Sequence, residues 1–109
     1  NIKGGTKYLA QLLEEFKDAK DSLQQLKFAL ASYNCGLYHV KDAQRLAEID
    51  GVNSNQWDGH VEQSILKLSS PKYYNKKGIK YGYVRGREPY NYVKEIMARY
   101  EHYKQFIKK

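Results

Sequence analysis

The sequence predicts an all-α domain of about five helices, with one long loop rich in Tyr and Lys before the last helix. Apolar residues recur at helical spacing in five segments of the chain. Between two of these segments lie Asn34 and Gly36, which readily adopt the left-handed backbone angles that end a helix. A chain of 109 residues has room for one hydrophobic core. We therefore expect residues 1–109 to belong to a single domain.

The first two helices are predicted from their apolar spacing. The first runs from about Gly5 to Lys17, and its apolar face is made of Tyr8, Leu9, Leu12, Leu13 and Phe16. Either Asp21 or Ser22 can cap the second helix, because both side chains accept hydrogen bonds from free backbone amides. That helix runs to about Asn34, with a stripe of Leu23, Leu26, Leu30 and Tyr33. Small Ala29 and Ala31 join the stripe, so we expect this helix to be the most buried.

Three further helices follow in the second half of the chain. The third runs from about Leu37 to Ile49, with Val40, Ala43, Leu46 and Ala47 facing inward. A turn-rich loop leads to a short fourth helix through Trp57, Val61, Ile65 and Leu68. The last helix begins near Arg87 or Glu88, because Pro89 is tolerated in a first helical turn. Its predicted apolar stripe is Val93, Ile96, Tyr100, Tyr103 and Ile107.

The segment from Ser69 to Gly86 has no sustained period and is predicted to be an extended, ordered loop. Tyrosines alternate in it with lysines and Arg85. Aromatic rings among cations are used to bind single-stranded nucleic acid, but none of the usual nucleic-acid-binding signatures occurs. The same composition suits sugars, whose C–H faces pack on rings. Simple packing of the tyrosines onto the helices is the remaining alternative.

Several classes of site and segment are disfavoured. The net charge of +7 favours anionic partners without selecting one. No apolar run reaches the roughly 20 residues that cross a bilayer. The three histidines are scattered, so we expect no metal site, and no phosphate-binding glycine loop occurs. Cys35 has no local partner that would lower its pKa, so it is predicted to be a small packed side chain.

Three motifs occur in a fixed order along the chain. They are Asn1-Ile2-x-x-Gly5-x-x-Tyr8-Leu9, then Tyr33-Asn34-x-Gly36, then Glu88-x-x-x-Tyr92-Val93. Each has an ordinary reading as a packed helix face, a glycine-capped helix end or an acid in a first helical turn. Together they resemble the goose-lysozyme-like lytic transglycosylases, known as the SLT family. The stretch Tyr81-Gly82-Tyr83-x-Arg85-Gly86 resembles the F-type subgroup of these enzymes.

The resemblance implies the fold and the site. The chain would be the C-terminal part of a lysozyme-like domain, in which the catalytic Glu, followed by Ser, lies upstream of Asn1. A start at Asn1 rather than Met also leads us to expect a piece of a longer protein. Carried over by motif, Tyr33 and Tyr92 would support the catalytic acid, and Asn34, Tyr81 and Tyr83 would contact substrate. Here Pro89 follows Glu88 where the family has Thr, and the resemblance gives Glu88 a structural role only.

The function implied by the resemblance is lytic cleavage of peptidoglycan. Such enzymes break the β-1,4 bond between N-acetylmuramic acid and N-acetylglucosamine and leave 1,6-anhydro ends, without metal or cofactor. This chain alone would then be inactive. The alternatives are a non-catalytic module that binds peptidoglycan or chitooligosaccharide and, more remotely, a basic nucleic-acid-binding domain. We expect a periplasmic monomer whose partner is glycan strands rather than nucleic acid, with any outer-membrane attachment made by a part outside this chain.

Overall fold

A computed structural model describes the backbone of residues 2–107 and the side chains of residues 5–105. Six α-helices occur in this part: α1 (Ile2–Glu15), α2 (Ser22–Cys35), α3 (Leu37–Ile49), α4 (Glu62–Lys67), α5 (Pro71–Tyr74) and α6 (Arg87–Ile107). A π-type turn, Trp57–Val61, precedes α4. No strand occurs within residues 2–107, and the all-α prediction is confirmed. Over the same range, no helix combines the length and the apolarity needed to cross a membrane.

Helix α2 lies at the centre of the fold and packs against α1, α3 and α6. Its Phe28, Ala29 and Ala31 have no exposed surface, and the two alanines allow close helix contact. The Phe28 ring stacks on Phe16 with centroids 5.0 Å apart and meets Trp57 edge-on at 5.7 Å. Among the described residues, six of α2 are buried, against five of α3, so the prediction that α2 is the most buried helix is confirmed. At its start, Asp21 is the cap, because its carboxylate accepts a hydrogen bond from the backbone N–H of Gln24 at 2.9 Å.

The predicted apolar stripe of α2 is wrong at both of its ends. Leu23 is 42% exposed and Tyr33 is 44% exposed, whereas Phe28, outside the stripe, is fully buried. A single stripe describes a helix that packs on one side only. Because α2 has neighbours on several sides, the positions of those neighbours decide which of its side chains are buried.

The predicted apolar stripe of α6 is correct only in the first half of the helix. Val93 is 2% exposed and Ile96 packs against the core, but Tyr100 and Tyr103 are exposed. A helix of 21 residues is about 30 Å long, which exceeds the two shorter dimensions of the protein, 28 and 24 Å. The second half of α6 therefore extends past the core. The side chain of Ile107, also predicted to be apolar packing, lies outside the described residues.

The predicted fourth helix begins with the π-type turn rather than with a regular helical turn. Trp57, Val61, Ile65 and Leu68 are all buried, as predicted. The backbone leaves helical angles at Asp58 and Gly59, and Gly59 has a φ of 74° that favours glycine. The loop before α6 also differs from prediction, because the short helix α5 begins at Pro71 within it. Proline suits that first helical position.

Candidate functional site

The junction between α2 and α3 places Tyr33 and Asn34 at the surface. Helix α2 ends at Cys35, and Gly36 has a φ of 105°. The backbone N–H of Gly36 donates to the carbonyl of Ser32 at 2.8 Å, which closes the helix end. Helix α3 begins at the next residue, Leu37. The predicted glycine cap is confirmed, and both Tyr33 and Asn34 are exposed in the last turn of α2.

Helix α1 supports Tyr33 from one side. The rings of Tyr33 and Tyr8 have centroids 5.9 Å apart and are tilted by 39°. A Cβ atom at Gly5 would lie 3.0 Å from the Tyr33 hydroxyl oxygen. The absence of a side chain at Gly5 therefore lets the phenol rest on α1. The phenol is anchored on this side and open on the other, where it can donate or accept a hydrogen bond.

A buried carboxylate on α3 positions Tyr81. Asp42 has no exposed surface, and it accepts hydrogen bonds from the backbone N–H groups of Lys80 at 3.0 Å and Tyr81 at 2.7 Å. The guanidinium of Arg45 donates to the same carboxylate. Held in this way, the Tyr81 ring stacks on Tyr38 with centroids 5.0 Å apart. Both rings are exposed, so the pair presents an open aromatic face.

The other two predicted tyrosines have different surroundings. Tyr83 is 56% exposed and meets Tyr74 edge-on, with ring centroids 6.1 Å apart. Tyr92 is half-buried on α6 and packs against the core. Among residues 5–105, no ring pair joins Tyr33, Tyr81 and Tyr83 to one another. Three of the predicted tyrosines are thus exposed rings with separate aromatic supports, and the roles assigned to all four stay predictions.

Sequence reasoning missed the groups that hold the loop in place. Asp42 lies between inward-facing Val40 and Ala43 and is followed three residues later by Arg45. An acid within an apolar face, with a cation at this spacing, is the signal that could have revealed it. The motif that ends at Gly86 gave no indication of its packing role, which the structure shows: a Cβ atom there would lie 2.1 Å from the carbonyl oxygen of Ile65. Tyr38, the support of Tyr81, gave no distinguishing signal.

The side-chain oxygens of two carboxylates, Asp42 and Asp58, already accept hydrogen bonds from other groups of the chain. Asp42 is occupied by the three donors described above. Partial burial disfavours ionisation of Asp58, but hydrogen bonds from Lys27 and Gln24 outweigh it and hold the pKa of Asp58 below its usual value. An ionised carboxylate is a poor general acid. Among the described residues, no group of three or more His, Cys, Asp or Glu side chains could hold a metal ion.

Cys35 is expected to react slowly with alkylating reagents in the folded chain. Burial raises the pKa of its thiol to about 12, so at pH 8 only about one molecule in ten thousand carries the reactive thiolate. We expect little labelling by iodoacetamide at pH 8 in native buffer. The same chain in guanidinium chloride, where the thiol has its ordinary pKa, serves as the control and should label rapidly. Equal rates in the two conditions would contradict this assignment.

Comparison with known proteins identifies relatives of this chain. Residues 1–55 match the model of the Transglycosylase SLT domain. The chain is 45% identical over 101 residues to membrane-bound lytic murein transglycosylase F of Shewanella pealeana, covering 93% of this chain and 20% of that protein. It is 41% identical over 101 residues to the protein of that name from Pseudomonas fluorescens, covering 93% of this chain and 20% of that protein. The namesake from Desulfosudis oleivorans is 40% identical over 105 residues, covering 96% of this chain and 22% of that protein.

The fold and the site define a small all-α domain with exposed tyrosines in two places. One is the junction between α2 and α3, and the other is the loop that Asp42 holds in place. The match over residues 1–55 includes the junction that carries Tyr33 and Asn34. The chain belongs to the transglycosylase SLT domain family, as its sequence motifs implied. It spans about a fifth of the length of the curated relatives it matches.

Proposed function

We propose that this chain is part of a lytic transglycosylase that cleaves peptidoglycan. In this proposal the enzyme breaks the β-1,4 bond between N-acetylmuramic acid and N-acetylglucosamine and leaves 1,6-anhydro ends. The chain contributes a supporting wall of the glycan cleft, and the catalytic Glu comes from a segment that precedes Asn1. The observation that carries the proposal is Tyr33 of α2, an exposed phenol that packs against Tyr8 of α1 within the part of the chain that matches the family.

The chemistry assigned to Tyr33 is to orient the catalytic acid. A phenol hydrogen-bonds a carboxyl group without adding charge, so the acid keeps the raised pKa of a largely apolar site. A protonated carboxylic acid donates its proton to the glycosidic oxygen, as in lysozyme-type catalysis. The resulting carboxylate then removes the proton of the muramoyl 6-hydroxyl, whose oxygen attacks the anomeric carbon and closes the anhydro ring. One carboxyl group serves both steps, unlike the pair in most glycosidases.

The remaining assignments follow from the same cleft. Asn34 lies beside Tyr33 at the exposed end of α2 and is proposed to contact the glycan. Tyr81 and Tyr83 are proposed to pack against sugar faces, and Tyr92 to support the catalytic acid from α6. The relatives are named as membrane-bound murein enzymes, which supports a location in the cell envelope. We assign the chain to the periplasm, as a monomer, with peptidoglycan strands as its partner.

The test is release of anhydro-muropeptides from purified cell wall. The 109-residue chain alone is expected to give no turnover, because in this proposal the catalytic Glu comes from a preceding segment. A longer chain that adds the corresponding preceding segment of a relative is expected to be active. In that longer chain, Tyr33→Phe is expected to lower kcat about tenfold, because a misoriented acid transfers its proton less efficiently.

The matched control is Tyr103→Phe, which removes the hydroxyl of a tyrosine that is 64% exposed beyond the core. This variant is expected to leave kcat unchanged. Turnover by the 109-residue chain alone would place the acid within it and refute the upstream assignment. An equal loss of kcat in both variants would refute the specific role of Tyr33.

A second candidate function is a non-catalytic module that binds glycan. The stacked pair of Tyr38 and Tyr81 favours it, because an open aromatic face can bind a sugar ring without any catalytic acid. In this case the chain binds chitohexaose, and the longer chain still fails to release anhydro products.

A further inference from the structure

The net positive charge of the chain comes from one segment. Residues 63–87 contain seven Lys and Arg and no Asp or Glu, and the rest of the chain carries equal numbers of cations and acids. The whole net charge of +7 therefore arises from this segment, which includes α5 and the loop that Asp42 fastens. A charge so localised creates a strong local field for an anionic partner.

Three lysines of this segment surround one aromatic ring. The ammonium nitrogens of Lys67, Lys72 and Lys76 lie 5.4, 5.5 and 5.9 Å from the centroid of Tyr73. Lys67 also pairs with Asp50 at 3.1 Å. Within the described part of the chain, no carboxylate lies at ion-pair distance from Lys72 or Lys76. Their charges are thus available to a partner. The four residues Lys67, Lys72, Tyr73 and Lys76 are called the lysine cluster below.

The lysine cluster adjoins a proposed glycan contact. Tyr74 follows Tyr73 directly and holds the ring of Tyr83 at 6.1 Å. A groove of about 360 Å³ is lined by Arg85, Arg87, Leu66 and Ser69. Leu66 directly precedes Lys67 of the cluster in the sequence. The exposed ring of Tyr83 is therefore supported by the same short helix, α5, that carries Lys72.

We propose that the lysine cluster binds the carboxylates of acidic peptides carried by the glycan strand. This inference rests on the proposed function, because it takes Tyr83 as a contact to the sugar. A glycan packed on Tyr83 brings its substituents beside Lys72 and Lys76, where ammonium groups pair with carboxylates as compact point charges. The chain then prefers peptide-bearing strands to uncharged ones.

The interleaving of rings and cations favours this partner over a membrane surface or a nucleic acid. A lipid surface requires only a patch of cations and gives no reason for the two supported pairs, Tyr38 with Tyr81 and Tyr74 with Tyr83. A single-stranded nucleic acid would use both features, but none of the usual nucleic-acid-binding signatures occurs in the sequence. A polymer of sugars with acidic branches uses both.

The experiment compares the binding of two matched glycan strands to the 109-residue chain. One ligand is a purified glycan strand with its peptides, and the other is the same strand after its carboxylates are converted to amides with ammonium chloride and a carbodiimide. The parent chain is expected to bind the acidic strand about tenfold more tightly at 0.15 M salt. This ratio should approach one at 1 M salt, where charges are screened beyond about 3 Å.

The variant is Lys72→Gln with Lys76→Gln, which removes two charges and keeps side-chain length. It should lose the tenfold preference and bind chitohexaose as the parent does. The control, Lys17→Gln with Lys104→Gln, removes the same net charge from exposed positions outside the segment and should keep the preference. Thermal unfolding checks that both variants fold.

Other outcomes have definite meanings. Equal binding of both strands by the parent overturns the inference and leaves the proposed function standing. Binding of neither strand nor chitohexaose overturns the inference and the proposed glycan contact at Tyr83, whereas release of anhydro-muropeptides by the longer chain tests the proposed function separately. Loss of the preference in the control variant as well would show that only net charge matters and overturn the lysine cluster as a site. The parent chain is also tested for salt-sensitive binding to phosphatidylglycerol vesicles and to single-stranded DNA. If the Lys72 and Lys76 variant loses that binding but still binds the acidic strand tenfold more tightly than the amidated strand, the cluster is reassigned to that partner.

Discussion

Gly86→Ala is expected to lower the free energy of unfolding by about 3 kcal/mol or more, because it forces backbone atoms apart. A Cβ atom at this position would lie 2.1 Å from the carbonyl oxygen of Ile65 and 2.8 Å from the Cα atom of Leu66. Neither is the end of a flexible side chain, so the contact cannot be relieved by a rotamer change. Urea unfolding followed by circular dichroism measures the loss.

The control for this prediction is Gly82→Ala. Gly82 has a φ of 73°, but a Cβ atom there would meet nothing within 4 Å. Its substitution should cost about 1 to 2 kcal/mol, from backbone conformation alone. If Gly86→Ala cost no more than Gly82→Ala, the close approach between the loop and α4 would be refuted. The comparison separates steric overlap from backbone strain within one loop.

Asp42→Asn is expected to lower the free energy of unfolding by about 3 kcal/mol and to release the loop that carries Tyr81. The carboxylate accepts from two consecutive backbone N–H groups, of Lys80 and Tyr81, and from Arg45. An amide offers one oxygen, so its NH₂ group faces a donor and one buried N–H is left unpaired. Loss of the carboxylate also leaves the partly buried Arg45 without its ion pair.

Two measurements test this prediction. Urea unfolding gives the stability, and hydrogen exchange of the Lys80 and Tyr81 amides should accelerate strongly in the variant. The control, Asp50→Asn, breaks a more exposed ion pair with Lys67 and should cost less than about 1 kcal/mol. Unchanged protection of both amides in Asp42→Asn would show that the loop is held by other contacts. Affinity for chitohexaose should fall in Asp42→Asn if the stacked Tyr38 and Tyr81 rings bind sugar.

The local pattern of α3 and of the segment around Trp57 was sufficient to predict their burial. All four inward positions predicted for α3 are fully buried. The exposed fraction is also no more than 1% at Trp57, Val61, Ile65 and Leu68. Helix period and apolar spacing are properties of a few consecutive residues, so the sequence contains them directly. The glycine cap at Gly36 is likewise local, since it closes a bond to Ser32 four residues before it.

The surroundings of the candidate site could not be predicted in the same way. Asp42 and Tyr81 are 39 residues apart in the chain, and no short-range pattern states that they meet. The stripe predicted for α2 missed Phe28 and wrongly included Leu23, because burial there depends on where α1, α3 and α6 lie. The exposure of Tyr100 and Tyr103 similarly follows from the length of α6 relative to the core.

By itself, the sequence determined the all-α class, the order of the main helices and the family to which the chain belongs. These depend on residue types and on spacings within one helix or one motif. Only the tertiary structure decided that Tyr33 rests on Gly5, that Asp42 fastens the loop, and that Tyr38 supports Tyr81. Each of these is a contact between distant parts of the chain, fixed by the packing of helices whose relative positions no local pattern specifies.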